Sequence, residues 1–268
     1  MIVLSDGNDS FLALCVEISA QLRYNKRRIH IREEVYKMKS RQEIKAIGKE
    51  RFKANYWPCV LAILLVGVVI GVLTGIGQIG GEVDVNTGEI APGPLSGVMS
   101  LITLLVTGPL TVGLASFFVQ NIYGNPEITA ATPVLSCKEN FGRKTGGYLW
   151  MLLFTWLWSL LLVIPGIIKS FSYAMTPFIL ADCPNVRAKD ALKLSMRMMA
   201  GHKGELFVFL LSFLGWQLLN LVTFGLLGVF FVEPYQNSAE AVWYLEVREE
   251  ALRRGVITMD QLNGLAPV

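Results

Sequence analysis

The chain has 268 residues, of which 53% are hydrophobic and only 17% are charged, and its formal net charge is +3. A soluble domain of this length carries about a quarter charged residues, so the composition excludes an ordinary soluble globular protein. The small positive charge does not indicate nucleic-acid binding, because the Lys and Arg residues lie between apolar runs, where they orient membrane segments.

The cysteine and histidine content gives no sign of a metal site or a disulfide framework. The four cysteines are far apart, without a C-x-x-C pair, and the chain has two histidines. Both kinds of site depend on closely spaced ligands. We therefore expect no metal, no cofactor and no disulfide.

The first 37 residues match neither a signal peptide nor a membrane span. Asp6 and Asp9 precede the short apolar piece FLALCVEI, and no basic stretch comes before it. Residues 32–34 can be encoded by a purine-rich ribosome-binding sequence placed three codons before Met38. One hypothesis is therefore that residues 1–37 are an extension that is not translated, which the intact mass of the natively expressed protein would test.

Six apolar segments predict six transmembrane helices, since a membrane helix needs about 20 mainly apolar residues. They lie near 57–77, 95–119, 148–164, 167–181, 205–222 and 225–245. The predicted fold is all-α, a polytopic membrane helical bundle. A basic amphipathic helix at 38–56 precedes it, and a charged tail at 246–268 follows it.

The charges between the segments predict the topology. The linker 78–94 contains acidic residues and no Lys or Arg, whereas the connections at 120–147 and 182–204 are basic. Basic connections stay in the cytoplasm. The linker is therefore expected outside, and both termini are expected in the cytoplasm.

Two small-residue motifs have predicted packing roles. Gly67, Gly71 and Gly75 form two G-x-x-x-G steps, which let another helix backbone approach closely. We favour a partner helix from the same chain over a second copy. Pro165 and Gly166 are expected to end the third span and form a hairpin turn, because proline removes a donor and glycine permits a tight turn.

A basic amphipathic helix is predicted at 186–200, between the fourth and fifth spans. Lys189, Lys193 and Arg197 form a cationic stripe at i, i+4 and i+8, with apolar residues on another face. This division is typical of a helix at the membrane surface. A helix packed on the inner ends of the bundle is the alternative, and the two are compatible. Asn185 is expected to cap the helix, and Gly201 is expected to end it.

Polar residues within the predicted spans are the candidates for a functional site. Buried charges in a bilayer normally face a partner or water. We expect Glu233 to face the bundle interior, either paired with Lys169 or lining a wet cavity. A structural ion pair is the alternative to a functional site. The full set is Lys169, Glu233, Gln236, Asn237 and Glu240.

Four sequence stretches resemble one family. KSRQEIKAIGKERFKANYW, GPLTVG, IPGIIKSFSYAMTPFILADCPN and ALKLSMRMMAGHKGELF resemble the bacterial domain of unknown function 975 family of integral membrane proteins, over Met38 to about Glu249. The resemblance implies a multi-pass protein of the bacterial cell membrane and carries no agreed activity or catalytic residues. The family usually has an apolar residue where this chain has Glu233.

A second resemblance is looser. The arrangement of Pro177, Asp182, Ala191, Ser195 and Gly201 is similar to the membrane domain attached to some glycerophosphodiester phosphodiesterases. It implies a shared membrane scaffold, and the chain contains no sequence resembling the phosphodiesterase catalytic domain.

Two functions stay open from the sequence. No set of nucleophile, base and orienting group can be assembled, so we predict no catalytic residues and no enzyme. The first hypothesis is a membrane scaffold or accessory factor that acts on membrane lipids, a protein partner or a second copy. The alternative is a carrier or permease-like protein for a lipid or small amphiphile. A cavity reaching Glu233 would favour the carrier.

Overall fold

The structure is a computed structural model that describes residues 38–79, 93–125 and 128–268. All regular structure in these ranges is helical, which confirms the predicted all-α class. Lys39–Val268 forms one compact unit. The extension 1–37 and most of the acidic linker lie outside the described residues.

Twelve α-helices are found in the described ranges. They are α1 Arg41–Ala54, α2 Tyr56–Gln78, α3 Ser96–Tyr123, α4 Thr132–Leu135, α5 Phe141–Leu161, α6 Val163–Tyr173, α7 Thr176–Asp182, α8 Ala188–Met198, α9 Lys203–Leu211, α10 Leu214–Val222, α11 Glu233–Arg253 and α12 Met259–Leu262. A 3₁₀ turn, Ser136–Lys138, precedes α5, and a π-helical turn, Gly228–Val232, precedes α11.

Four helical segments of the described chain are long and apolar enough to cross a membrane. They are Tyr56–Gln78, Ser96–Tyr123, Val163–Asp182 and Lys203–Val222. These segments contain most or all of the predicted first, second, fourth and fifth spans. The length and composition of these helices are consistent with a membrane protein.

The predicted third and sixth spans are helical but are not among these four segments. Their helices are less apolar, since α5 begins with Arg143 and Lys144 in its first turn and carries several tryptophans. In α11 the charged residues extend from Glu233 to Arg253. The prediction of six spans is thus reduced to four segments with the length and composition for crossing.

Helix α1 packs lengthwise against α11 and runs in the opposite direction. Its start is fixed by a capping box, in which the Ser40 hydroxyl and the Glu43 carboxylate each accept a backbone N–H. Ile44 and Phe52 are buried. A Cβ on Gly48 would lie only 2.7 Å from the Ala239 Cα, so the two backbones are in close contact. The apolar side of this basic helix is therefore covered by protein.

Large side chains fill the space where the helices meet. The rings of Phe209 and Trp243 pack in a tilted arrangement with centroids 5.0 Å apart, and Phe178 stacks on Tyr244 at 5.4 Å. Trp243 and Tyr244 are completely buried. Such close packing of rings stabilises the unit through apolar burial and dispersion.

The hairpin between α5 and α6 turns earlier than predicted. Leu162, in an extended conformation, separates the two helices. Pro165 and Gly166 lie in the first turn of α6, where proline is tolerated because that N–H has no partner within the helix. Gly166 packs tightly against Ser159 of α5. The glycine therefore serves the approach of the two helices instead of forming the turn.

The contact between α1 and α11 can be tested with Gly48→Ala. The added methyl must displace the Ala239 backbone, so we expect a loss of about 1–3 kcal/mol in the free energy of unfolding, as for other overpacked sites. Gly142→Ala in α5 is the matched control, because no atom lies within 4 Å of its Cβ position and alanine favours helix. Thermal unfolding in detergent measures both variants, and equal midpoints would contradict this contact.

Candidate functional site

Helix α8 presents the cationic stripe that the sequence predicts. Lys189, Lys193 and Arg197 are all exposed. The opposite face is buried in protein: Ala191, Leu194 and Ser195 are completely covered, and the Ser195 hydroxyl donates to the Ser172 carbonyl of α6 at 2.8 Å. Of the two predicted settings, the contacts support a helix packed on the bundle.

The two ends of α8 differ from the prediction. Arg187, not Asn185, occupies the capping position, and no side chain caps the helix there. The helix ends at Met198, and Gly201 lies beyond it with a φ of +95°. That conformation favours glycine, so Gly201 redirects the chain toward α9 after the helix has ended.

Two cations of the stripe contact neighbouring elements. Lys189 Nζ lies 4.6 Å from the centre of the Trp150 ring on α5. Lys193 Nζ lies 3.6 Å from an Asp190 carboxylate oxygen and 3.4 Å from the Val268 carbonyl oxygen. Exposed pairs of this kind are weak, so the charges stay accessible to an anionic ligand.

A cleft opens between the start of α8 and the C-terminal segment. Its volume is about 360 Å³, and Arg187, Asp190, Lys193 and Gln261 are among the residues that line it. The lining has charges of both signs, with two cations and one carboxylate among these side chains. The arrangement suits the binding of a polar or zwitterionic group better than catalysis, since no activated nucleophile is present there.

Two of the polar candidates, Gln236 and Glu240 of α11, form a short series of hydrogen bonds with Gln217 of α10. The Gln236 amide donates to a Glu240 carboxylate oxygen at 2.8 Å, and the Gln217 amide donates to the Gln236 carbonyl oxygen at 3.1 Å. The hydrogen bond between Gln217 and Gln236 connects α10 to α11. The structure thus brings together Gln236 and Glu240, and it adds Gln217.

The expected pairing of Glu233 with Lys169 is wrong. Glu233 is exposed and does not face the interior. Its backbone carbonyl accepts a hydrogen bond from the Asn237 amide at 2.9 Å. Lys169 Nζ instead lies 4.9 Å from the centre of the Trp158 ring on α5. The reason is that α1 covers the other side of this end of α11, where Phe52 lies 5.9 Å from Phe231, and Glu233 lies on the side that is left exposed.

The glycine stripe of α2 has no partner within the described chain. Gly67, Gly71 and Gly75 are exposed, and nothing lies within 4 Å of a Cβ placed on any of them. Helix α3 instead meets α2 at its two ends, at Gly77 and at Cys59. The preference for a partner helix from the same chain stays a prediction, since none of the described helices packs on the stripe.

An ionic cluster that the sequence does not predict joins α7 to α11. The Asp182 carboxylate accepts hydrogen bonds from the Arg248 guanidinium and from the Tyr244 hydroxyl, the latter at 2.8 Å. Burial disfavours the charge on Arg248, but Asp182, Tyr244 and Tyr123 more than offset this and raise its pKa above the ordinary value. Residue 248 is 66 positions from residue 182, so no local motif marks the pair.

Arg143 has a similar structural role at the end of α7. Its guanidinium donates to the carbonyl oxygens of Leu180 at 2.6 Å, Cys183 at 3.0 Å and Val186 at 2.9 Å. The Leu180 carbonyl lies in the last turn of α7, where carbonyls have no partner within the helix, and the other two lie in the connection after it. Arg143 therefore holds the connection between α7 and α8 in place. This structural role is additional to the predicted role of basic connections in orienting the membrane segments.

No group of three or more metal-ligating side chains comes together in the described ranges. The three cysteines among these residues are free, and two of them are buried.

The ionic cluster predicts a large energetic coupling. Asp182→Ala leaves Arg248 largely buried without its carboxylate, so we expect the free energy of unfolding to fall by about 3–5 kcal/mol. Arg248→Ala should act similarly, and the double variant should lose less than the sum of the two. Asp190→Ala, which removes an exposed pair, should change stability by less than about 1 kcal/mol. Additive effects of Asp182→Ala and Arg248→Ala in chemical unfolding would contradict the coupling.

Comparison with known proteins finds a family match over part of the chain. Residues 150–251 match the family model described as "Protein of unknown function (DUF975)". No curated protein and no solved structure matches the chain, and the looser likeness to the phosphodiesterase membrane domain stays a prediction. The matched region runs from α5 to α11 and includes the cationic stripe and the Asp182–Arg248 cluster. Through this region the chain is similar to the DUF975 family of proteins of unknown function.

Proposed function

We propose that this chain is a non-enzymatic integral membrane protein of the bacterial cell membrane, a scaffold or accessory factor that acts through contacts with anionic lipids. The supporting observation is the cationic stripe of α8, whose buried face is fixed to α6. A fixed row of cations at the membrane surface attracts anionic headgroups. Because the helix is already ordered, binding would require little further loss of conformational entropy.

The carrier alternative has less support from the observed interior. The three described cavities have volumes of about 360, 190 and 370 Å³ and are open to the surface. Glu233 does not line any of these three. Buried rings occupy the centre of the unit, as at Trp243 and Phe209. A fixed surface with a packed interior fits a scaffold better than a transport path.

The proposed orientation puts both termini and the basic stripe in the cytoplasm. The acidic linker would lie on the other side of the membrane, and the predicted six-span topology gives the same sides. Reporter fusions after Asp84 and after Gly201 should therefore give opposite readouts in intact cells. Identical readouts would contradict this orientation.

Lipid selectivity tests the proposed role of the stripe. In a triple variant, Lys189→Gln, Lys193→Gln and Arg197→Gln, we expect more than about tenfold weaker retention of phosphatidylglycerol, since each cation near an anionic surface contributes about 1 kcal/mol. Native mass spectrometry of protein from vesicles that contain phosphatidylglycerol and phosphatidylethanolamine counts the bound lipids.

The matched control keeps the charges with Lys189→Arg, Lys193→Arg and Arg197→Lys. It should retain phosphatidylglycerol like the wild type, whereas binding of phosphatidylethanolamine should be the same in all three proteins. Equal retention of phosphatidylglycerol by the neutral and charge-conserving variants would contradict the proposal.

A further inference from the structure

Two hairpins end in tips made entirely of apolar and small uncharged residues. The first tip is 160–164, between α5 and α6, where Leu162 is 63% and Ile164 is 72% exposed. The second tip is 221–226, after α10, where Leu221 is 77% and Phe224 is 96% exposed. Clusters of large exposed apolar side chains are rare in water. If a tip emerged on the far side of the membrane, its apolar side chains would be exposed to water.

The first hairpin is short relative to a bilayer. Both of its arms contact α8: Trp150 lies under Lys189, and the Ser172 carbonyl accepts from Ser195. From Trp150 to Leu162 is twelve residues and from Leu162 to Ser172 is ten, so the arms measure about 18 and 15 Å at 1.5 Å per residue. The exposed cations of α8 must stay at the surface, because charge in hydrocarbon is costly.

The second hairpin has the same limit through α1. Lys45 Nζ lies 4.2 Å from the centre of the Phe213 ring, and the burial of Lys45 lowers its pKa. From Phe213 to Phe224 is eleven residues, or about 16 Å. On the returning arm Glu233 is exposed only nine residues after Phe224, or about 14 Å. The segment Lys203–Val222 as a whole has the length to cross, but between the charged side chains and the tip neither arm does.

In both hairpins the distance from the charged side chains to the tip is well short of the hydrocarbon thickness of about 30 Å. Extended lysine side chains add a few ångströms of reach, and a crossing would still require strong local thinning of the bilayer. Arms of about 14–18 Å that begin at a charged surface end near the bilayer centre.

The backbone of the second tip is suited to a medium without water. Every N–H from residue 223 to residue 229 has a partner inside the hairpin. Two side chains complete the set: Thr223 Oγ1 accepts from the Leu227 N–H at 3.3 Å, and Asn220 Oδ1 accepts from the Gly228 N–H at 2.6 Å. In hydrocarbon a donor without a partner is strongly unfavourable, whereas an aqueous turn has no such need.

The first tip shows part of this pattern. The Leu162 N–H donates to the Trp158 carbonyl and the Gly166 N–H donates to the Leu162 carbonyl, both at 3.2 Å. Pro165 has no N–H, so one donor that the first turn of α6 would leave without a helical partner is absent.

We propose that the α5–α6 hairpin and the α10–α11 hairpin are re-entrant: both enter the bilayer from the side that carries α1 and α8, end near its centre and return. Helices α2 and α3, with 23 and 28 residues, are then the full passages. The inference rests on the proposed membrane location and is independent of lipid selectivity. Both termini keep their predicted side of the membrane. The predicted third and fourth spans become one re-entrant hairpin, and the predicted fifth and sixth spans become the other.

Depth measurements by electron paramagnetic resonance test this arrangement. Spin labels are placed on Ile164→Cys and Phe224→Cys in reconstituted full-length protein whose four native cysteines are replaced by serine. Both labels should be accessible to oxygen and protected from the water-soluble nickel complex NiEDDA. Thr87→Cys in the acidic linker and Ala200→Cys after α8 are the aqueous controls. If the tip labels are as accessible to NiEDDA as the controls, the hairpins cross and the proposal is wrong.

Two lysine variants test the same inference with the native cysteines in place. In lipid nanodiscs, Ile164→Lys and Phe224→Lys should lower the thermal midpoint by several degrees, because the charge would lie in hydrocarbon, whereas Leu135→Lys at an exposed site on α4 should not. Unchanged midpoints for both tip variants would place the tips in water and overturn the proposal. Headgroup selectivity, which tests the lipid-binding function, is unaffected by either result.

Discussion

The charged surface of α1 and α8 and the apolar hairpin tips require different solvents, and about 15 Å of helix separates them. This constraint determines how the protein meets the membrane. Burial of one face of each charged helix fixes its position, since Ile44 and Phe52 of α1 and Ala191 and Leu194 of α8 are covered by protein. The cations therefore cannot move away from the surface without disrupting the core.

The structure resembles a packed helical body with apolar hairpins that project from it. Buried rings hold the body together, and the Asp182–Arg248 pair and Arg143 fasten α7 between its neighbours. The projecting arms make few contacts with other elements and expose apolar side chains, as at Leu157 and Leu218. In water that exposure would be unfavourable, whereas in lipid it costs little, because the tails are as apolar as leucine.

Much of the helical content could be predicted because long apolar runs and helical spacing are local signals. The cationic stripe Lys189, Lys193 and Arg197 is of this kind, and it lies on one exposed face as its spacing predicts. The partner of each face is not a local property. Gly67, Gly71 and Gly75 have the spacing of a packing motif but no neighbour among the described residues, whereas the isolated Gly48 lies directly against Ala239.

Charge pairing was hard to predict for the same reason. Lys169 and Glu233 are both rare charges near apolar segments, and the sequence does not show that Lys169 lies against the Trp158 ring. Asp182 and Arg248 lie in connections that the charge rule assigns to the cytoplasm, so nothing in the sequence distinguishes them from solvated residues. Hydropathy also cannot tell a crossing from a hairpin that returns, because both are continuous apolar runs. The distance from the tip to the nearest fixed charge distinguishes them, and it requires the packed structure.

The position of the bilayer relative to α8 is the most direct test of this account. Cryo-electron microscopy of the protein in a lipid nanodisc, with a rigid antibody fragment to aid alignment, would show the two headgroup layers beside the helices. We expect α8 and α1 at one headgroup layer and both hairpin tips between the layers, near the midplane. Tips at or beyond the opposite headgroup layer would contradict the account.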